Sequence, residues 1–481
     1  MSVKAAILTE GKASTGFGHI IRCKALYEAF SEKGIIPKLF VNGEECVSHI
    51  TAGLDCKIVD WIRERESIFS EIDGFDVVVI DSYLADEAFY EKASRLAKVA
   101  VYIDDFKRIS YPEGIVVNGN IYAESLNYPK NQKTTYLLGT KFTPLRKEFW
   151  SVPSKKIKEE IESVMITFGG SDVRNLTPQV LKALSKYSGL TKYVIIGGAF
   201  KNLEEIKAVS DQKTELIFQP DAGKMLEIMM HSDVAVSAAG QTLYELARTG
   251  TPVIAVAVAE NQVPNAMGWQ KAGFAEYAGW WEDENLSLKI AKHLELLADK
   301  KVREQKSRKG RELVDGRGCS RIAKEVMKSL ILSRSLLRAA EEKDMWAIYE
   351  ISNDETVRQV SINPRRIEKK EHERWYRENY KKDFFVLEFD KKVIGQVRFP
   401  HQEGKNFVSI SLHRDYRGFG VGEHLLREGV RRFFSENPHV KEIFAVINSE
   451  NTGSIKIFER VGFKRVEEGQ WLKYKLERKD V

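Results

Sequence analysis

Cysteine is scarce in this sequence. Cys23, Cys46, Cys56 and Cys319 are the four in 481 residues, and no two are spaced as CxxC or as zinc ligands. That excludes a disulfide framework and a cysteine-built zinc site, and it suits a reducing compartment. Long apolar runs are also missing. Nothing approaches the ~20 apolar residues of a membrane span. The greasiest helical stretch, VMKSLILSRSLL, is bounded by charge on both sides. The opening MSVKAAILTEGK has too short an apolar run for a signal peptide. A cytoplasmic protein without a membrane partner is the expectation. An excess of one charge is lacking too. Lys and Arg number 75 against 69 Asp and Glu, a net of +6 spread along the chain. That is too weak and diffuse for a nucleic-acid surface, although it suits small polyanions. No carboxylate cluster points to a metal, and there is no low-complexity tract.

The chain is too long for one hydrophobic core; about three units are expected. From residue 1 to 152, apolar strands alternate with helical patterns. VKAAILTE, IPKLFVN, FDVVVIDSY and KVAVYIDD read as buried strands, and IIRCKALYEAFSEKG as an amphipathic helix. A polar stretch, SVPSKKIKEEIES, follows, and the rhythm restarts over 153–330 with SVMITFGGSD, KYVIIGG, ELIFQ, DVAVSAAG and TPVIAVAV. The expected fold class is α/β, with two Rossmann-like domains and ligands beyond the carboxyl ends of their strands. From 335 to 481 the pattern becomes α+β with antiparallel pairs, among them a hairpin turning at FDKK.

Chemistry concentrates in three places. RDYRGFGVGEHLL (414–426) follows the strand FVSISLH and opens a helix, with Arg417, Gly418, Gly420 and Gly422 spaced R-G-x-G-x-G. Glycines there let backbone N–H groups face a pyrophosphate at a helix N-terminus. NSENTGSIKIFERVGF follows, carrying Asn451, Ser454 and Phe458. These motifs resemble the GNAT acetyltransferases over about 335–478. The resemblance implies acetyl-CoA as cosubstrate, with the pyrophosphate on the amides of Arg417, Gly418, Phe419, Gly420, Val421 and Gly422. It also implies the pantetheine arm against Ser411 and Leu412 on a splayed strand, and contacts from Asn451 and Ser454. Many relatives carry a tyrosine acid where this chain has Phe458, so the acid must be another group, Tyr474 or water. ISNDETVR and HERW resemble the subgroup acting on amino-sugar nucleotides and protein N-termini, which points to Asn353, Asp354 and Trp375 at the acceptor.

In AAGQTLYELARTGTPV, Gly240 ends a strand, Thr242 starts a helix and Glu245 lies one turn in. Glu245 is either an exposed helix glutamate or a carboxylate accepting from a ribose diol. Together with TFGGSD this resembles the nucleotide-binding half of GT-B proteins such as the lipid II N-acetylglucosaminyltransferases. The resemblance implies UDP held by Gly169, Gly170, Ser171, Gly240, Gln241, Thr242 and Glu245, with Asn261 and Gln262 near the diphosphate or sugar. The third place is STGFGHIIRC, a glycine loop with Gly16 and Gly18 that ends in His19 at a helix start. The helix dipole disfavours an imidazolium there, and a neutral ring can take a proton from water. A loop relieved of phosphate binding can let a sugar approach closely. In order, GFGHIIRC, DSY, LLGTKFTPLRKEF, TFGGSD and AAGQTLYELARTGTPV resemble the pseudaminic acid pathway hydrolases of UDP-2,4-diacetamido-2,4,6-trideoxy-β-L-altropyranose over about 1–325. The resemblance implies inverting hydrolysis with His19 as base, Tyr83 supporting water or sugar, Arg22 and Arg146 shaping the sugar pocket, and no metal. The preceding step of that pathway acetylates a 4-amino group, which fits the C-terminal domain; a nonulosonic acid synthase would be only a pathway neighbour. A glycosyltransferase, a non-catalytic UDP-sugar-binding regulator and a legionaminic-type substrate remain alternatives.

Overall fold

The computed structural model describes residues 3–11, 17–44, 47–48, 50–129 and 133–480. The chain divides into two compact units, Met1–Val326 and Met327–Val481; the division falls inside the helix Gly318–Ser333.

The first unit holds two parallel sheets. The first comprises β1 (Ala5–Gly11), β2 (Lys38–Gly43), β3 (Cys56–Ile58), β4 (Val77–Asp81), β5 (Val99–Ile103), β6 (Gly114–Asn118) and β7 (Thr134–Leu138), in the order β3-β2-β1-β4-β5-β6-β7. Every residue of β1, β4 and β5 is buried. Helices cover both faces of such a sheet, so its central strands are continuous apolar runs rather than alternating ones. The second sheet comprises β8 (Ser163–Thr167), β9 (Thr191–Ile196), β10 (Thr214–Phe218), β11 (Val234–Ala238), β12 (Val253–Ala257) and β13 (Ala275–Trp280), in the order β10-β9-β8-β11-β12-β13. Both orders reverse direction once, between β1 and β4 and between β8 and β11. A crevice opens at such a switch point, beyond the carboxyl ends of the two strands. This is the tandem Rossmann-like, GT-B layout expected from the sequence.

The second unit is α+β. Strands β14 (Ser335–Ala339), β15 (Phe384–Phe389), β16 (Lys392–Arg398) and β19 (Ser409–Leu412) form one antiparallel sheet in that order. A small ribbon, β17 (His401–Gln402) and β18 (Lys405–Asn406), lies between β16 and β19 in sequence. Strands β20 (Glu442–Asn448), β21 (Lys464–Glu467) and β22 (Trp471–Glu477) form a second sheet, ordered β20-β22-β21. The hairpin β15–β16 turns at Asp390 and Lys391, both left-handed at φ 48° and 63°, as a two-residue turn matching strand twist requires. Just before β19, among the described residues, an isolated bridge joins Phe407 to Phe444 of β20, and Val408 N–H donates to Phe444 O at 2.8 Å. Beyond it, among the described residues, β19 pairs only with β16, so its other edge is not covered by a strand, although Leu412 O there accepts from Arg417 Nε at 2.8 Å.

Candidate functional site

In the first unit, the β1/β4 switch point brings together residues far apart in sequence. His19 is the second residue of the helix Gly18–Ser31 that follows β1; Asp81 ends β4. The His19 Nδ1 lies 2.8 Å from Asp81 Oδ1. An ionised carboxylate only accepts, so this contact places the proton on Nδ1 and leaves the lone pair on Nε2. Asp81 is fully buried and takes two further bonds at 2.6 Å from Arg22, through Nε and Nη2. Burial works to raise its pKa, but the Arg22 guanidinium and His19 outweigh burial and hold it far below the usual carboxylate range. Arg22 in turn grips Asp105 through Nη1, at 2.8 and 2.9 Å.

Tyr83 stands edge-on to His19, with ring centroids 4.4 Å apart. Its phenol donates to Asp105. Burial and that carboxylate push its pKa well up, so the phenol keeps its proton and offers only its oxygen lone pairs. Arg22, expected to shape a sugar pocket, is instead committed to two carboxylates. Asp81 is what sequence reasoning missed: DSY drew attention to Tyr83, while the acidic end of a wholly apolar strand was the stronger sign. Gly16 lies outside the described residues; Gly18 opens the helix and has open space where a Cβ would stand.

The β8/β11 switch point gathers the residues assigned to UDP. Gly169, Gly170 and Ser171 follow β8, and Gly240, Gln241 and Thr242 lead from β11 into the helix Thr242–Thr249. Gly169 is left-handed at φ 76°. The loop is set by a glycine that sequence reasoning passed over: a Cβ on Gly197, just after β9, would lie 2.3 Å from Gly170 O. Gln262 rests against Gly240, and its Oε1 accepts from Val258 N–H at 3.1 Å. Asn261 is exposed.

Glu245 is buried, not exposed. Arg146 holds it in a two-pronged ion pair, Nε to Oε1 at 2.7 Å and Nη2 to Oε2 at 2.8 Å. Arg146 is therefore a partner of Glu245, not free to line a sugar pocket. A fork of this kind uses one lone pair on each oxygen; the remaining pair on each oxygen suits a vicinal diol. Tyr244, the preceding residue, contacts Asn120 at 3.1 Å and donates to Asn265 at 2.6 Å. Asn120 Nδ2 donates to Asp105 at 2.9 Å. Asn120 and Ile121, adjacent in the chain, thus connect the His19 cluster to the helix that carries Glu245, with Ile121 N–H donating to the Tyr244 oxygen at 3.1 Å. Glu245→Gln keeps the shape and removes the charge. It should weaken UDP binding by about 1.5–3 kcal/mol, the weight of a charge-assisted hydrogen bond, read by calorimetry; an unchanged affinity would put the nucleotide elsewhere.

In the second unit, Arg417 to Gly420 lead into the helix Val421–Glu436. Gly418 and Gly420 are left-handed at φ 83° and 80°, and a Cβ on Gly418 would meet nothing within 4 Å. The loop is an open cradle at a helix N-terminus and fits a pyrophosphate. Four members of the motif also serve the fold. Val421 is buried in the core and Phe419 packs against it. Gly422 lies within the helix, where a Cβ would come 3.1 Å from Ile457, so it serves helix packing. Arg417 pairs with Asp354 at 3.1 Å and donates through Nε to Leu412 O at 2.8 Å, while its buried Nη2 has no partner.

The gap between β19 and β20 opens on a cavity of about 650 Å³, lined among others by Ser411, Asn448, Asn451, Ser454 and Phe458. Asn451 caps the helix Thr452–Val461 by accepting from Ser454 N–H at 3.1 Å, which leaves its Nδ2 for a ligand. Tyr474 does not reach the cavity. It is buried, donates to Glu459 at 3.1 Å, and burial raises its pKa, so it is not the missing acid. Asn353 closes a loop with two bonds to Ile367, and Asp354 caps a helical turn; of the three acceptor candidates only Trp375 lines the cavity. His372 lines it too, and its Nε2 lies 2.9 Å from Met345 O. That carbonyl requires Nε2–H, so Nδ1 holds the lone pair, and burial pushes the ring's pKa down. No group of ligands for a metal occurs among the described residues, nor any helix long and apolar enough to cross a membrane.

Comparison with known proteins bears on both units. Residues 163–322 match the family model of the glycosyltransferase family 28 C-terminal domain, and 334–464 that of the acetyltransferase (GNAT) domain. The chain is 26% identical to an uncharacterized protein of Methanocaldococcus jannaschii across 97% of this chain and 98% of that one, so the tandem arrangement is shared. It is 24% identical to the spore coat polysaccharide biosynthesis protein SpsG of Bacillus subtilis, over 66% of this chain and 95% of that protein. It is also 24% identical to the pseudaminic acid cytidylyltransferase and UDP-2,4-diacetamido-2,4,6-trideoxy-β-L-altropyranose hydrolase of Helicobacter pylori. That match covers 56% of this chain and 47% of the H. pylori protein.

Proposed function

We propose that the chain is a two-step enzyme of pseudaminic acid biosynthesis. The second unit transfers an acetyl group from acetyl-CoA to the 4-amino group of UDP-4-amino-4,6-dideoxy-N-acetyl-β-L-altrosamine. The first hydrolyses the resulting UDP-2,4-diacetamido-2,4,6-trideoxy-β-L-altropyranose to free sugar and UDP. The hydrolase reading rests above all on the His19–Asp81 pair at the β1/β4 switch point, and similarity to the H. pylori hydrolase supports it. Asp81 orients the ring and leaves Nε2 to take a proton from water. That water attacks the anomeric carbon with inversion, and the C1–O bond breaks as UDP leaves. The lone pairs of Tyr83 steady the water or a sugar hydroxyl. The amides at Gly169–Ser171 and Gly240–Thr242 stabilise the leaving diphosphate, and Glu245 takes the ribose.

The acetyltransferase reading rests on the Gly418–Gly420 cradle and the edge of β19 that no strand covers, with support from the GNAT match. Bound there, acetyl-CoA would supply an activated acyl group. The chain's own part is to hold the pyrophosphate on loop amides, align the thioester against β19 and present the amine from the cavity. Hydrolysis in ¹⁸O-labelled water with no other acceptor tests the first reaction. The expected result is UDP release with label on C1 of the sugar. Label in UDP would mean attack at phosphorus, and no release at all would favour a glycosyltransferase.

A further inference from the structure

The cavity of the second unit carries more positive charge than its walls neutralise. Arg358, Arg398 and Glu371 line it. Glu371 is already paired with Arg365 at 2.7 Å. Arg358 spends its terminal nitrogens on the carbonyls of Asn363 and Arg365 and on Ser361 Oγ, and its buried Nε has no partner. The Arg398 guanidinium has neither an ion pair nor a hydrogen bond among the described residues; it lies 4.8 Å from the centre of the Trp375 ring. Burial lowers the pKa of both, and the charge of Arg358 adds to the effect at Arg398. Two half-desolvated cations side by side without a counter-charge are costly unless a ligand brings one. A second orphan lies on the same wall. Gln396 is 5% exposed, its Nε2 donates to Ser352 Oγ at 3.2 Å, and its buried Oε1 has no partner. Gln396 and Arg398 are two residues apart on β16 and so share a face. The cavity therefore asks for an anion and, near it, an N–H or O–H donor.

We propose that Arg358 and Arg398 bind the phosphate of the acetyl acceptor, so that this chain acetylates a phosphate-linked amino sugar in preference to the free sugar. The proposal rests on the acetyltransferase reading above and deepens it. It also orders the two reactions: hydrolysis removes the diphosphate these arginines require, so acetylation must come first. A phosphate can reach the cavity from two sources, the acceptor or the CoA molecule, and the experiment separates them.

The test uses the full chain, with acetyl transfer followed as thiol release and acetyl-CoA affinity measured by calorimetry. The acceptors are the UDP-linked 4-amino sugar, the same sugar without UDP, and the simple pair glucosamine 1-phosphate and glucosamine. The native chain should prefer each phosphate-bearing acceptor. Arg398→Gln and Arg358→Gln should each raise KM for the UDP-linked sugar roughly 10-fold or more, as loss of a charge-assisted bond does. They should leave transfer to the free sugar and the acetyl-CoA affinity unchanged. Arg398→Lys, which keeps the charge, should restore much of the loss, a result that a merely structural role would not produce. Unchanged KM in both glutamine variants, with the UDP-linked sugar still acetylated, overturns this proposal and leaves the acceptor reading standing. Weakened acetyl-CoA binding with unchanged acceptor KM assigns the arginines to CoA and also overturns it. Preference for glucosamine 1-phosphate over glucosamine, lost in the glutamine variants, with no transfer to the UDP-linked sugar, upholds the anion site and removes the named substrate.

Discussion

Replacing His19 by alanine should lower UDP release from the acetylated sugar nucleotide roughly 10²–10⁴-fold, the usual weight of a positioned general base. UDP affinity should hardly change, because His19 is not among the groups proposed to hold the nucleotide, Glu245 and the loops after β8 and β11. Thiol release by the second unit should be untouched. The structure adds a sharper companion. Asp81→Asn keeps size and lets the amide group turn its NH₂ toward Nδ1. The ring would then accept there and carry its proton on Nε2, where it can no longer take one from water. The loss should approach that of His19→Ala, by the logic of triad carboxylates that set a histidine's tautomer. Arg22 would keep Asp105 and the amide oxygen as partners, so the fold should survive. Near-normal UDP release in His19→Ala would remove His19 from the chemistry.

The second large effect concerns the cradle of the second unit. Gly418 and Gly420 hold φ near +80°, where a side chain costs about 1–2 kcal/mol and a β-branched one more. A Cβ on Gly418 would also project into the open space that a pyrophosphate needs. Gly418→Val combined with Gly420→Val should therefore displace at least two amide donors. At about 1.5–3 kcal/mol for each bond to a charged group, acetyl transfer should fall roughly 10²-fold or more. UDP release from substrate that already carries the acetyl group should stay at its native rate, which shows that the first unit has folded. Gly422 is the wrong position for this test, since its neighbour is Ile457 and a side chain there would disturb helix packing instead. If the double variant transfers acetyl normally, the pyrophosphate lies elsewhere.

The architecture was largely legible in the sequence because buried parallel strands are apolar without interruption. VVVID and VAVYI could hardly be anything else, and the restart at SVMIT marked a second sheet. The turn at FDKK was legible for a local reason too: two polar residues between alternating strands. What was not legible depends on which strands become neighbours. Asp81 meets His19 only because β4 lies beside β1, 62 residues away in sequence. Arg146 meets Glu245 across 99 residues. Arg146 and Glu245 looked like separate ligands for substrate, His19 looked like a base acting alone and Asp81 drew no attention, yet each is half of a pair, and no local pattern announces a pair. Tyr474 failed for a similar reason. A strand alternates its faces, but which face β22 turns to the cavity is set by its register with β20 and β21. Gln396 and Arg398 left a visible trace, two polar residues at alternating positions of the otherwise apolar VIGQVRF. Their meaning emerged only with the cavity beside them.

One time course tests the central claim, that a single chain acetylates a nucleotide-linked sugar and then hydrolyses it. The full chain is given the UDP-linked 4-amino sugar, first alone and then with acetyl-CoA, while thiol and UDP are followed together. The account predicts almost no UDP without acetyl-CoA; after its addition, thiol appears at once and UDP follows after a lag. UDP released at the same rate with and without acetyl-CoA, or thiol released with no UDP after it, would contradict the account.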